Sequence, residues 1–304
     1  MHQSSRPHQL FRRELLGALL LGASAVPAAA AQFPPIISPP TQDYLDGKII
    51  FQELVTPDLT RAKQFYGGLL GWTFRDFDVD GMPYAEATVA DLSVGGLFQR
   101  SLPASEHRQS AWLTYFAVRD TNATTQTAVA HGAKLLFGPR SFPDRGLEAV
   151  LADPQGAVFA VLASSSGDPP DLLAEPGAWI WSSLITRDPD TAAAFYQTLF
   201  DYEVFPAPVE AGPEHLVLAS QGYARASVNP PPAARPDLHP HWLNYVRVDD
   251  AAAMAARAVT LGGRVLVAPR PTPRGGAIAL LADPLGAPFG LLEWSNADSN
   301  ASAQ

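Results

Sequence analysis

The feature that most constrains this chain is an internal repeat with a constant offset of 130 residues. The stretch DLTRAKQFYGGLLGW begins at Asp58, and DPDTAAAFYQTLFDY begins at Asp188. The same offset relates LADPQGAVF from Leu151 to LADPLGAPF from Leu281. Further pairs at this spacing are Trp112 and Trp242, Leu113 and Leu243, Tyr115 and Tyr245, Asp120 and Asp250, Gly132 and Gly262, and Arg140 and Arg270. Self-similarity at a fixed period indicates a tandem duplication.

The repeat divides the chain into two modules, residues 48–163 and 178–294, each of a size typical of one compact domain. Residues 164–177 between them are rich in Ser, Pro and Gly, which is typical of a linker. A proline-rich lead-in, residues 32–47, precedes the first module, and residues 295–304 form a short polar tail.

Residues 1–31 are predicted to be an export signal and not part of either module. Arg12 and Arg13 precede a short apolar run, and small residues stand before Gln32. The run from Leu15 to Val26 is well short of the ~20 residues that a membrane-spanning helix needs. The segment resembles bacterial twin-arginine signals, so we expect a periplasmic or secreted protein that is free of the membrane after cleavage. The alternative is an uncleaved membrane anchor.

Composition narrows the function further. The formal net charge is −9, and it falls to about −11 without residues 1–31, which hold three arginines and one glutamate. An acidic surface of this kind repels phosphate backbones, so no nucleic-acid partner is expected. The chain contains no cysteine, which excludes a thiol nucleophile, a thiolate metal site and a disulfide framework.

Each module contains two βαβββ units, according to the hydrophobic pattern. In the first unit, the β-rich run from Gly47 ends at Thr56-Pro57, and apolar residues at helical spacing follow up to Gly71. Three short strands are predicted near 72–78, 83–90 and 94–99. The second unit has a strand from Ala111, a helix over 121–131, and strands near 134–137, 147–152 and 157–163. The predicted fold is α+β: four units forming two cup-shaped, mostly antiparallel curved sheets with the helices outside.

The residues that carry this pattern also resemble a known family. The strand–TPDLTRAKQFYGGLLGW segment, the V-x-D junction before the second helix and the final DPQGAVF are similar to the vicinal oxygen chelate superfamily. Glyoxalase I, bleomycin-resistance proteins and extradiol dioxygenases belong to this group. The resemblance covers nearly all of residues 48–294 and implies the fold more specifically than any activity.

The same resemblance implies a divalent metal in each cup, held by His and Glu, yet the corresponding positions here are apolar. The first His position falls on Phe51 and Trp181, and the second on Leu113 and Leu243. The Glu position falls on Ala160 and Gly290, while Gln99 and Asn229 lie near the remaining one. We therefore expect no metal cofactor at the family's usual site.

Strand alternation then predicts which side chains line the cups. Phe51 and Glu53 share a strand face, as do Leu113 and Tyr115, and Ser183 replaces Glu53 in the second module. The predicted ligand-binding residues are Phe51, Glu53, Leu113, Tyr115, Ala160, Trp181, Ser183, His241, Leu243, Tyr245 and Gly290. Glu53 is the candidate general base. The alternative is that its carboxylate simply accepts a hydrogen bond from Tyr115 or a neighbouring amide.

Two further groups of residues each allow two hypotheses about their role. His239 and His241 form an H-x-H that, with His215 or Glu214, could make a relocated metal site, or they could be surface histidines beside Pro240. Arg140 and Arg270 follow a proline in both modules and could anchor an anion at the cup rim, or pair with acidic neighbours.

Three functions are compatible with these observations. The first is a metal-free binder of a small organic ligand, which concave cups lined by aromatic residues would suit. The second is a lyase, isomerase or dioxygenase-like enzyme that uses Glu53 or relocated histidine ligands. The third is a structural module whose cups are filled as core. The expected partner is a small molecule, and the chain is expected to be a monomer or a homodimer.

Overall fold

The computed structural model describes residues 33–100, 110–207, 215–273 and 275–294. The predicted export signal and tail lie outside these ranges, so they stay predictions. None of the helices in the described ranges is long and apolar enough to cross a membrane.

The order of elements is βαβββ, repeated four times, and the predicted fold class is confirmed. The first module contains β1 (Ile49–Thr56), α1 (Leu59–Leu70), β2 (Thr73–Val79), β3 (Met82–Val89), β4 (Leu92–Gln99), β5 (Ala111–Ala117), α2 (Thr121–Ala130), β6 (Lys134–Phe142), β7 (Gly146–Ala152) and β8 (Val158–Ser164). The second contains β9 (Trp179–Ile185), α3 (Pro189–Phe200), β10 (Glu203–Pro206), β11 (Leu216–Ser220), β12 (Tyr223–Asn229), β13 (His241–Val248), α4 (Ala251–Thr260), β14 (Arg264–Pro271), β15 (Ala277–Ala282) and β16 (Pro288–Glu293).

Each module forms one eight-stranded sheet. The strand orders are β2-β3-β4-β1-β5-β8-β7-β6 and β10-β11-β12-β9-β13-β16-β15-β14. The first strand of each unit pairs in parallel with the last strand of the same unit, and the two units of a module join through an antiparallel pair, β1 with β5 and β9 with β13. The remaining pairs are antiparallel.

Local signals account for the ends of α1. The Asp58 carboxylate caps the helix by accepting a hydrogen bond from Arg61 N at 2.9 Å. Gly71 ends it in the left-handed conformation, with φ of 73° and its N–H bonded to the Gly67 carbonyl. Asp188 caps α3 in the same way.

One strand is longer than its sequence pattern predicts. The prediction ended β6 at 137, whereas the strand continues to Phe142. Irregular register between 135 and 140 interrupts the alternation, and Gly138 has φ of 76°. The strand resumes where Arg140 pairs with Glu148. Pairing with β7 therefore extends β6 past Pro139, which cannot donate a backbone hydrogen bond.

The helices cover the convex face of each sheet, and the two convex faces pack against each other. Residues of α1 share one core cluster with β13, β15, β16 and α4, and residues of α3 share another with β5, β8 and α2. Two helix pairs, α1 with α4 and α2 with α3, are in contact between the sheets. Because the convex faces meet, the two cups open in opposite directions.

The repeated Phe-Tyr pair lies at the centre of this contact. Tyr66 receives a hydrogen bond from Trp112 Nε1 at 3.0 Å and donates to Asp283 Oδ2 of the other module at 3.3 Å. The equivalent residues make the equivalent bonds: Trp242 Nε1 donates to Tyr196 at 3.0 Å, and Tyr196 donates to Asp153 at 3.3 Å. Both Phe-Tyr pairs are buried and serve packing, and the tyrosine hydroxyls add a polar bond between the modules.

The Asp of each LADP turn has a second role. Asp153 Oδ1 accepts from the N–H groups of Gln155, Gly156 and Ala157, which fixes the turn before β8. Asp283 does the same for Leu285 and Ala287. Each carboxylate thus orders its own turn with one oxygen and binds the opposite module's tyrosine with the other.

Replacing Tyr196 with Phe should lower the free energy of unfolding by about 2 kcal/mol, because the buried Asp153 and Trp242 groups each lose a partner. Tyr66→Phe should have a similar effect, and the two losses should add. Urea unfolding measures both. Tyr223, which is exposed, provides the control: Tyr223→Phe should change stability by less than about 0.5 kcal/mol. Equal stability of all three variants would contradict the proposed inter-module role.

Candidate functional site

The concave face of the first module is a buried, charged cluster. Phe51, Glu53 and Tyr115 lie on its floor, as strand alternation predicts, and Tyr115 donates a hydrogen bond to Glu53 Oε1 at 3.3 Å. This bond agrees with the alternative hypothesis for Glu53, in which the carboxylate accepts a hydrogen bond from Tyr115 and is not a general base. The other carboxylate oxygen, Oε2, is buried without a hydrogen bond and lies 3.7 Å from Arg145 Nη1.

Arg145 is the largest fully buried side chain of the described residues, with 1% exposure. Its Nη2 donates to the Tyr84 hydroxyl at 2.8 Å, and its guanidinium lies 4.6 Å from the centre of the Phe51 ring. Glu148 is also buried in this cluster, and its charge contributes to raising the pKa of Arg145. A buried cation of this kind is stable only when paired, so the two glutamates and the tyrosine hydroxyl explain its position.

The two carboxyl groups share one cation, which affects their protonation. Burial raises the pKa of Glu148 to about 8, with the charge of Glu53 acting in the same direction and Arg145 opposing. Burial also raises the pKa of Glu53, while Arg145 and the Tyr115 hydrogen bond oppose the rise. Burial would lower the pKa of Arg145, but Tyr84, Glu53 and Glu148 raise it. At neutral pH Arg145 is therefore charged and Glu148 is mostly protonated, while the Glu53 carboxyl faces the Arg145 guanidinium.

The proline-rich lead-in fills this cup. Phe33 and Ile36 are buried in the same cluster as Phe51, Tyr84, Phe98, Tyr115 and Ala160. The Phe33 ring meets Tyr84 edge-on at 5.0 Å and Phe142 at 4.9 Å. The first cup is thus closed by the chain itself.

The second cup has the same strand framework and different walls. Trp181 stands in place of Phe51, and Ser183 in place of Glu53. Ser227 binds both of them: Trp181 Nε1 donates to its oxygen at 3.1 Å, and the two serine hydroxyls are 2.7 Å apart. Leu243 and Tyr245 are buried on the floor, whereas Trp181 and Ser227 are half-buried. This cup presents hydroxyl groups and an aromatic face instead of a buried ion cluster.

Two histidines complete the wall of the second cup. His215 Nδ1 lies 2.6 Å from Asn229 Oδ1, and His241 Nδ1 lies 2.8 Å from the His239 carbonyl. Because a carbonyl oxygen only accepts, both Nδ1 atoms carry a proton, and Nε2 is the acceptor of a neutral ring in this tautomer. Burial lowers the pKa of His241, so its ring is neutral at pH 7.

The residues at the family's metal positions do not fit a metal ion. Phe51, Leu113 and Ala160 in the first cup have no donor atom, and Ala160 lies under Tyr115 in the sheet. In the second cup, Gly290 lies directly beneath Tyr245, and even a Cβ at position 290 would collide with the tyrosine ring. A carboxylate ligand at that position is therefore sterically excluded, because the aromatic ring takes its place.

The two residues near the remaining ligand position have other hydrogen-bond partners. Gln99 accepts a hydrogen bond from Leu59 N at the start of α1, at 3.0 Å. Asn229 is held by His215, as described above. Within the described ranges, no three His, Asp or Glu side chains are grouped closely enough to hold a metal ion. Glu214, the possible fourth member of a site at His239 and His241, lies outside these ranges.

The paired arginines differ between modules. Arg140 forms an exposed ion pair with Asp80 at 3.1 Å, which is the acidic neighbour expected as the alternative to an anion site. Arg270 is exposed on β14, close enough to Tyr245 to lower the pKa that burial raises. Arg270 therefore places a positive charge near the mouth of the second cup.

Comparison with known proteins agrees with this geometry. The family model described as "Glyoxalase/Bleomycin resistance protein/Dioxygenase superfamily" matches residues 47–161, and the "Glyoxalase-like domain" model matches 182–292. "Putative glyoxylase CFP32" of Mycobacterium tuberculosis is 32% identical over 258 residues, which span 84% of this chain and 98% of the relative. The chain belongs to the glyoxalase/bleomycin resistance protein/dioxygenase superfamily.

Another relative and several solved structures are similar over most of their length. The anthracycline biosynthesis protein DnrV of Streptomyces peucetius is 30% identical, over 79% of this chain and 91% of that protein. Among solved structures, the Mn(II)-bound glyoxalase from Novosphingobium aromaticivorans aligns with a TM-score of 0.54 at 18% identity, covering 82% of this chain and 83% of its own. The 2,3-dioxygenase LapB from Pseudomonas sp. KL28 aligns at 0.57 and 12% identity, covering 83% and 94%. At these identities, the solved structures show the shared fold alone.

Sequence reasoning missed Tyr84, Arg145, Glu148 and Ser227. A signal for part of the cluster was present in the repeat itself. Glu53, Arg145 and Glu148 correspond to Ser183, Gly275 and Ile278, so three charged residues of the first module have uncharged counterparts in the second. When all three charged residues are replaced by uncharged ones in the other module, the pattern indicates that their charges interact with one another.

Glu148→Gln should change the pH dependence of stability. The folded-state pKa of Glu148 (about 8) lies above its ordinary value of 4.5, so the folded chain binds the proton more tightly than the unfolded chain. Its contribution to stability is therefore full below pH 4.5 and is lost as the pH rises to about 8. The glutamine variant should gain roughly 1–3 kcal/mol relative to wild type between pH 5 and pH 8.

Chemical unfolding at both pH values measures this difference. Glu203→Gln removes an exposed carboxylate and serves as the matched control, with a curve parallel to wild type. If Glu148→Gln also ran parallel to wild type, the carboxyl would not be protonated in the folded chain at neutral pH.

Proposed function

We propose that this protein binds a flat, uncharged aromatic molecule bearing hydroxyl or carbonyl groups in the second cup, without a metal ion. One observation carries the proposal: three wall positions that the strand register makes equivalent are buried in the first cup and half-buried in the second. Phe51, Phe98 and Tyr84 are covered, whereas Trp181, Asn229 and His215 keep part of their surface exposed. Residues of the lead-in occupy the first cup, so we assign the small molecule to the second cup.

The lining of the second cup supports the chemistry of this ligand. Trp181 and Tyr245 supply aromatic surface, and Leu243 adds an apolar floor. The Nε2 atoms of His215 and His241 supply acceptors for ligand hydroxyl groups, since both Nδ1 protons are already used. Few polar groups on an apolar concave surface are typical of small-molecule sites.

Two relatives are named for the biosynthesis of anthracyclines, which are flat, hydroxylated polycyclic quinones. That class of molecule has the shape and the oxygen atoms that this lining would accommodate. Export by the twin-arginine-like signal is part of the same proposal and rests on residues 1–31 alone.

The binding proposal is tested with 1,8-dihydroxyanthraquinone, followed by quenching of tryptophan fluorescence. The purified chain should bind this probe equally well with and without EDTA. Trp181→Ala should weaken binding by about 5- to 30-fold, because loss of an aromatic contact is worth roughly 1–2 kcal/mol. Tyr44→Ala removes an exposed aromatic residue of the lead-in and should leave the affinity unchanged.

Two results would overturn this proposal. One is binding that requires an added divalent ion and disappears with the chelator. The other is an unchanged affinity of Trp181→Ala for the probe, because the probe would then bind elsewhere on the protein.

A second candidate function is proton transfer by Glu53. The observation that favours it is the buried Oε2 atom without a hydrogen bond, on a carboxyl whose pKa burial raises. The lead-in covers this carboxyl, so the candidate requires residues 33–36 to leave the cup.

Glu53→Gln separates this candidate from a structural role. If Glu53 is the base of a lyase or isomerase, the variant should lose turnover by a factor of at least about 100 while its melting temperature stays within a few degrees of wild type. Screening wild type against α-hydroxy carbonyl and dihydroxyaromatic substrates, with Glu53→Gln alongside, makes the measurement. A glutamine variant that lost less than about 10-fold in turnover would exclude Glu53 as the base.

A further inference from the structure

The first cup recognises two chemical features of the lead-in with one side chain. The Arg145 guanidinium lies 4.9 Å from the centre of the Phe33 ring, and its Nε donates to the Pro34 carbonyl at 3.1 Å. The ring is also enclosed edge-on by Tyr84 and Phe142. The feature that is bound is therefore an aromatic ring with a carbonyl acceptor close by.

Residues of the sheet also hold Arg145, in addition to its contacts with the lead-in. The guanidinium bonds to Tyr84 on β3, faces Glu53 on β1 and stacks on Phe51. Only its Nε and one face are directed to the lead-in. The contacts of Arg145 with β1 and β3 do not involve the lead-in, so they can hold the guanidinium in place when residues 33–36 leave.

The lead-in is anchored outside the cup. Ile37 N donates to Ser166 Oγ at 3.2 Å, Thr41 N donates to the Ser166 carbonyl at 2.9 Å, and Leu45 N donates to Asp168 at 2.6 Å. Those bonds involve the inter-module segment and none of the cup side chains. Residues 33–36 can therefore leave the cup while the lead-in from 37 onward stays attached.

We propose that the first cup is a second ligand site, for neutral molecules that carry an aryl group beside a carbonyl oxygen, and that residues 33–36 are its built-in competitor. A neutral ligand fits because Glu53 already faces Arg145, which leaves the cluster with no excess positive charge for an anion. The site is distinct from the second cup, with which it shares no lining residue.

Releasing the lead-in tests the proposal. In the full chain, Phe33→Asp with Ile36→Asp places two carboxylates where burial is unfavourable, so the segment should leave the cup. The probe is N-acetyl-L-phenylalanyl-L-prolinamide, measured by isothermal titration calorimetry. It should bind the double variant at least 10-fold more tightly than wild type. The matched control, Gln42→Asp with Tyr44→Asp, adds the same charge at exposed lead-in positions and should behave as wild type.

Two further comparisons identify the site. N-acetyl-L-alanyl-L-prolinamide, which lacks the ring, should not bind the released variant. Adding Arg145→Lys keeps the charge but removes Nε and the planar face, and it should weaken the phenylalanyl probe at least 10-fold. Trp181→Ala should leave this probe unaffected, so failure here and failure of the second-cup proposal are separable.

The proposal is overturned if the folded double variant does not bind the probe, or if Arg145→Lys leaves the affinity unchanged. Should the double variant not fold, Phe33→Ala carries the test, because it vacates only the ring position. Benzamide, a small aryl carbonyl, should then raise the melting temperature of Phe33→Ala more than that of wild type. Equal shifts for both proteins would overturn the proposal.

Discussion

Two buried hydrogen-bond chains hold the modules back to back, and the orientation of both cups depends on them. In each chain a tryptophan N–H binds a tyrosine hydroxyl, which binds an aspartate of the other module. Burial makes these groups expensive to leave unpaired, so the contact favours one arrangement of the modules over others that would cover the same apolar area. Because the tyrosine is part of the repeated Phe-Tyr pair, the duplication supplied both halves of the contact at once.

That arrangement leaves each concave face free of the other module, and the two faces have diverged. The first cup contains an arginine and two glutamates, which the lead-in covers. The second cup contains serines, histidines and a tryptophan. In both, the aligned positions at which the superfamily's usual metal would be held lack metal-binding side chains, and in the second cup the Tyr245 ring takes up the space beside Gly290. The framework of the superfamily is retained while the chemistry of each cup is new.

Features encoded by neighbouring residues were predictable from the sequence. The unit order, the Asp58 cap and the Gly71 stop follow from local spacing, and the floor positions Phe51 and Glu53 follow from strand alternation. The docking of Phe33 was not predictable, because the lead-in has no periodicity and its contacts are with residues more than 50 positions away. Arg145 was missed for a related reason: it stands in a turn-like stretch before β7, where a charged residue is ordinarily solvated, and only the fold brings it under the lead-in.

The outward direction of the two cups has a consequence for molecular design. A compound that fills one cup has no direct path to the other, since two sheets and four helices stand between them. Inhibitors or fluorescent reporters for the two faces can therefore be developed separately and used together in one sample. A bivalent molecule with a short tether cannot occupy both cups of one chain, and would instead link neighbouring chains end to end into a linear polymer.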